Sequence, residues 1–116
     1  MEIKKVLICG GRDFKDYDRL KKICDNLLTP NDIIICGMAQ GADLLGKKYA
    51  DEHGLSIEKY PADWENLGKK AGFIRNIEML NNCTHVLAFW DSISKGTKHT
   101  IDTAKKRNIP LKIVLY

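Results

Sequence analysis

Five short apolar runs, each followed by a stretch with helical spacing, constrain this chain more than any other feature. The runs are Lys5 to Cys9 (KVLIC), Ile33 to Cys36 (IIIC), the weaker Leu55 to Tyr60, His85 to Trp90 (HVLAFW) and Leu111 to Tyr116 (LKIVLY). Continuous rather than alternating apolar character is what a strand buried on both faces requires, and that is the signature of a parallel sheet. Between the runs, Leu20, Ile23, Cys24, Leu27 and Leu28 fall on one helical face, so Tyr17 to Leu28 reads as a helix capped by Asp16. Ala42, Leu45 and Tyr49 mark a second helix stopping near Gly54. Phe73, Ile77 and Leu80 mark a third, and Ile101 and Ala104 a fourth that ends before Pro110. The βαβαβαβαβ order asks for an α/β three-layer sandwich, with helices on both faces of a five-stranded parallel sheet and right-handed crossovers.

At 116 residues the chain fits one domain spanning residues 1–116. It is 44% hydrophobic and 29% charged, and its longest apolar run falls far short of the roughly 20 residues that cross a bilayer. The first five residues lead directly into a strand pattern, so no signal peptide is expected and the expected location is the cytoplasm. Cys9, Cys24, Cys36 and Cys83 follow no zinc spacing and read as buried free thiols, while His53, His85 and His99 lie far apart. No metal site is expected. The net charge of +4 suits an anionic ligand. The lysine pairs are scattered over helix faces instead of forming a stripe, which speaks against nucleic acid.

In a sheet of this kind, ligands bind beyond the carboxyl ends of the strands. Four polar or glycine-rich segments fall there. Gly10-Gly11-Arg12-Asp13 follows the first strand. Its glycines allow backbone N–H groups close to a phosphate, and Arg12 can grip an anion in a bidentate fork. It matches neither the dinucleotide fingerprint nor a P-loop. Gly37-Met38-Ala39-Gln40-Gly41-Ala42-Asp43 follows the second strand. Here Gly37 and Gly41 leave the backbone bare at a helix start, Met38 reads as a packing residue, and Asp43 either caps its own helix or accepts from a ribose or base. The third segment, Pro61 to Gly72, reads as an unusually long loop of the kind that forms lids or binding walls. It brings Asp63 and Trp64, the latter able to stack on a base. Arg75 and Asn76 follow. Arg75 is expected in the first turn of its helix, where a cation opposes the dipole and so needs an anionic partner, either a ligand or a carboxylate such as Asp43 or Asp91. The fourth segment runs from Trp90 and Asp91 to Ser94, Gly96 and Thr97, which open a helix and make a phosphate cradle of N–H groups and a hydroxyl. His99 reads as solvent-facing. No catalytic constellation is legible, and Asp13, Asp43, Asp63 and Asp91 are the candidate carboxylates.

The blocks GGRDF, GMAQGAD, PADW, GKKAG with Arg75-Asn76, and FWD with Ser94-Lys95-Gly96-Thr97 together resemble the YspA-like branch of the SLOG superfamily, which also holds the LOG and DprA proteins. The resemblance runs from Val6 to Val114. It implies a Rossmann-like fold with strand order 3-2-1-4-5. It also implies a nucleotide or nucleotide-derived ligand, ADP-ribose-like molecules or nucleoside monophosphates among them, held by a sensor or sequestering protein. Small members of this branch resemble bacterial and phage proteins, which for a phage protein means the host cytoplasm. Relatives often form homo-oligomers, and an open edge at the last strand agrees with that. LOG enzymes cleave the N-glycosidic bond of cytokinin nucleotides through a PGGxGTxxE loop ending in a catalytic glutamate. The matching stretch here ends in Thr100, so the resemblance implies a retained phosphate site without that carboxylate. Arg75 matches the LOG helix arginine.

Overall fold

The computed structural model describes residues 2–116. Its elements are β1 (Lys5–Gly10), α1 (Tyr17–Leu27), β2 (Ile33–Cys36), α2 (Ala42–His53), β3 (Ser56–Lys59), α3 (Trp64–Leu67), a 3-10 turn (Gly68–Lys70), α4 (Ala71–Asn82), β4 (His85–Trp90), α5 (Lys95–Lys106) and β5 (Leu111–Leu115). All strand pairs are parallel, as the apolar runs predict, and the order is β3-β2-β1-β4-β5, the one the family resemblance implies.

Alternation along β1 builds the two cores. Val6 and Ile8 point to one face, where Leu20 and Cys24 of α1 and Ala42, Tyr49 and Ala50 of α2 cover them. Leu7 and Cys9 point to the other, against Met79 and Leu80 of α4 and Ile101 and Ala104 of α5. Each large apolar side chain buried this way contributes roughly 1.5–3 kcal/mol of transfer free energy. Continuous apolar runs are therefore forced by a sheet that has no wet face.

The helix ends obey local chemistry. Asp16 caps α1 by accepting from the Arg19 N–H at 3.1 Å. Gly54, in the left-handed region, closes α2. The segment from Pro61 to Gly72 differs from the expected structureless loop. Asp63 caps the short helix α3 by accepting from the Asn66 N–H at 3.2 Å, and the 3-10 turn then feeds α4. As a result Arg75 lies one turn inside α4 rather than in its first turn, so the expected dipole penalty does not apply. The thiols of Cys9, Cys24 and Cys36 are buried and free, and Cys83 is half-buried.

The chain turns one way from β1 through α1 to β2, and the opposite way from β4 through α5 to β5. The carboxyl ends of β1 and β4 lie side by side in the middle of the sheet, with Gly10 opposite Phe89. The two flanking loops diverge from that point and leave a crevice.

Candidate functional site

The β1–α1 loop is pinned from beneath. Phe14 is buried, stacks on Phe89 with centroids 4.5 Å apart, and meets the Tyr116 ring edge-on at 4.9 Å. With Phe14 anchored, the loop tip presents Arg12 to solvent over the crevice. Gly41 packs directly under this loop. Its φ is +85°, and a Cβ there would lie 2.1 Å from the Gly11 carbonyl oxygen. The bare backbone at Gly10, Gly11 and Gly41 is thus required by loop-on-loop packing: a Cβ on Gly10 would meet the Phe89 carbonyl at 2.3 Å, and one on Gly11 the Tyr116 hydroxyl at 1.7 Å.

Asp43 occupies the first turn of α2 but does not cap it. Gly41 stands at the N-cap with no side-chain bond. The Asp43 carboxylate turns back to accept from the Ala39 N–H at 3.4 Å, and the Gly37 N–H also favours its charge. It is only 5% exposed, and burial pushes its pKa up to about 6 against the pull of Arg75, those N–H groups and Arg12. Arg75 donates from Nη1 to the Gly37 carbonyl at 2.5 Å and from Nε to Asn76 Oδ1 at 3.0 Å. A Cβ on Gly37 would sit 2.7 Å from Asp43 Oδ2 and 2.9 Å from Arg75 Nη1, so this glycine makes room for both groups.

On the other side of the crevice, α5 begins at an N-cap, Ser94, that makes no side-chain capping bond. The space above Gly96 is open for at least 4 Å. The Ser94 and Thr97 hydroxyls are 3.2 Å apart. First-turn N–H groups without a side-chain acceptor, at the positive end of a helix, are able to receive an anion.

These parts enclose a cavity of about 230 Å³. Of the residues expected from sequence, Gly10, Arg12, Asp43, Trp64, Arg75, Asn76, Ser94, Gly96 and Thr97 line it. Gly37 lines an adjoining cavity and Gly41 a third, on the far side of Arg12. Gly11, Asp63, Trp90 and Asp91 line none of the three. Asp63 is committed to its helix cap. Asp91 accepts from the Ile93 and Ser94 N–H groups at 2.8 and 2.7 Å, bonds that hold its pKa below the usual carboxylate range. The Trp90 indole N–H donates to the Ser94 carbonyl at 3.1 Å. Trp90 and Asp91 therefore shape the β4–α5 loop rather than face the cavity.

Sequence reasoning missed Lys69 and Phe73 in the lining, which Thr100, one turn beyond Thr97, also joins. Lys69 looked like solvated surface and Phe73 like core. Phe73 is 48% exposed and stands edge-on to the His99 ring at 4.9 Å. His99 is accordingly half-buried, not solvent-facing, and its Nδ1 is shut off from water without a protein partner. Thr100 is buried and donates to the Gly96 carbonyl at 3.3 Å. Met38, expected as a packing residue, takes a left-handed backbone (φ 64°) and lines the adjoining cavity. Among the described residues no group of three metal-ligating side chains comes together, and no helix is long and apolar enough to cross a membrane.

A doubly wound parallel sheet with its cavity at the topological switch point defines a Rossmann-like α/β protein. More narrowly, the chain belongs to the YspA, cpYpsA-related SLOG family, whose sequence profile matches residues 4–67. That span runs from β1 through α3 and carries Arg12, Gly37, Asp43 and Trp64. A relative, the Gene 61 protein of Mycobacterium phage D29, is 37% identical over 118 residues that cover 94% of each chain. No solved structure matches the chain. Membership of a SLOG family suggests, at a coarse level, a nucleotide-related ligand.

Proposed function

We propose that this protein binds a phosphate-bearing nucleotide or nucleotide-derived signal in the crevice between β1 and β4, and acts as a sensor or sequestering protein. The observation that carries this reading is the uncapped first turn of α5 opening onto a cavity whose walls hold Arg12, Lys69 and Arg75. A phosphate group on the Gly96 and Thr97 N–H groups gains the helix dipole and two hydroxyls. The cations offset its charge. Asp43 can accept from a ribose hydroxyl, and the half-exposed Trp64 ring offers a face to a base.

A second reading, an N-glycosidase of the LOG type, draws support from one observation. The Asp43 carboxyl lines the cavity with a pKa of about 6, a value suited to acid–base work near neutrality. Against it, Thr100 replaces the glutamate and its hydroxyl is bound to backbone.

Calorimetric titration with mononucleotides, ADP-ribose and NAD, followed by mass analysis of the recovered ligand, tests both readings. Binding with the ligand unchanged, lost in Arg75→Met, supports the binder. Released base supports the enzyme. Absence of heat with every ligand removes both.

A further inference from the structure

Among the described residues, Asp43 is the one carboxylate that lines the cavity, where it faces Arg12, Lys69 and Arg75. It is held there as a counter-charge without a close partner. No cation lies within 4 Å of it, and its bond from the Ala39 N–H is long, at 3.4 Å. Asp43 Oδ2 and Arg75 Nη1 nevertheless converge on one spot, 2.7 and 2.9 Å from where a Gly37 Cβ would lie. The carboxylate and an incoming anion therefore draw on the same cations.

In a cavity of about 230 Å³ the two negative charges stand closer than the roughly 8–10 Å over which salt screens them. One way to relieve the repulsion is for the carboxylate to take a proton, after which its O–H donates where its charge repelled. The neighbours leave that change to Asp43. Arg12 on the β1–α1 loop, Arg75 on α4 and Lys69 on the 3-10 turn are side chains that stay cationic through the neutral range. The thiols of Cys9 on β1 and Cys36 on β2 also act on Asp43, but burial pushes both up, Cys36 to about 11. Lys47, one turn along α2, is bound to Asp51 at 2.6 Å. Burial already raises the Asp43 pKa to about 6, so a further push carries it through neutrality.

We propose that an anion enters this cavity together with one proton, which Asp43 takes up, so that the site holds its ligand at acidic pH and weakens as pH rises. The inference rests on the nucleotide-binding reading above and adds a regulation of the same site: a fall in pH loads it and a rise unloads it.

The test is calorimetry of the full chain with ADP-ribose, NAD and inorganic sulfate, anions whose own charge is constant across the window. Affinity should fall about tenfold between about pH 5.5 and about pH 8, which corresponds to one pKa unit of coupling. Near pH 6.5, buffers of different ionisation enthalpy should report uptake of a fraction of a proton, up to one, per anion bound. In Asp43→Asn, checked for folding by its thermal transition, affinity should be flat with pH and no proton should be exchanged. Histidine is the other residue type that titrates in this window, and His99 on α5 stands against the cavity-lining Phe73. His99→Gln should keep both the slope and the proton. Binding by the parent protein with flat affinity and no proton uptake overturns the proton coupling and leaves nucleotide binding standing. So does uptake that persists in Asp43→Asn or disappears in His99→Gln. No heat with any of the three anions at any pH overturns the anion site and the coupling together.

Discussion

The Tyr116 hydroxyl donates to Asp13 Oδ1 at 2.6 Å, joining residues 103 positions apart. This bond fastens the segment after β5 onto the loop that carries Arg12, and the Phe14 ring packs between the Tyr116 and Phe89 rings. Burial, and after it the bond to Asp13, push the Tyr116 phenol pKa above its usual range.

Tyr116→Phe keeps the ring contacts and deletes the bond. Because the site is partly exposed, the expected loss is about 0.5–1 kcal/mol, read as a lower thermal midpoint. Ligand affinity should fall severalfold as the Arg12 loop loosens, measurable by calorimetry.

Gly41→Ala tests the loop-on-loop packing. With φ at +85° and the new Cβ 2.1 Å from the Gly11 carbonyl, the backbone must shift. The expected destabilisation is about 2–3 kcal/mol, seen in urea unfolding as a lower midpoint with an unchanged slope.

Gly96→Ala separates binding from stability. Nothing stands within 4 Å of the added methyl, so the fold accepts it. Alanine in the first turn of α5 should stabilise by about 0.5 kcal/mol. The same methyl stands over the N–H groups of the anion site, so ligand affinity should drop roughly tenfold, about 1.4 kcal/mol. A variant that unfolds later but binds as tightly as the parent would remove α5 from the site.

Asp43 sets a pH dependence whose sign follows from its raised pKa. Between about pH 4 and 6 the folded protein holds this proton and the unfolded chain does not, so the group's contribution to stability declines as pH rises through that window. Asp43→Asn should therefore gain on the parent by up to about 3 kcal/mol between pH 4 and pH 7, measured by urea unfolding at both. Asp32 acts oppositely. Burial disfavours its charge, but the Lys4 ammonium and the N–H groups of Thr29 and Lys4 outweigh this and lower its pKa to about 2. Its contribution, about 2 kcal/mol, is present above pH 4 and lost towards pH 2. The Asp43 comparison stays clear of that second window.

The five strands and four of the five α-helices were legible in the sequence, because burial on two faces writes itself as continuous apolar runs and helix burial as a 3.6-residue period; the sheet order came only with the family resemblance. Arg12, Arg75 and the Ser94–Thr97 helix start were legible too, since strand ends and helix starts dictate where free N–H groups and cations gather. Which polar groups stay free for a ligand was a tertiary decision. Asp63, Asp91 and Asp43 all accept from nearby backbone N–H groups, yet only Asp43 lines the cavity, because the start of α2 turns it there. Gly10, Gly11 and Gly41 read in sequence as backbone left bare for a phosphate, but a Cβ on them would meet the Phe89 carbonyl, the Tyr116 hydroxyl and the Gly11 carbonyl respectively. Lys69 and Phe73 reach the cavity only because α3 and its 3-10 turn fold the expected loop back over it. The glycine contacts depend on neighbours thirty to about a hundred residues away, and a local pattern holds no record of those distances.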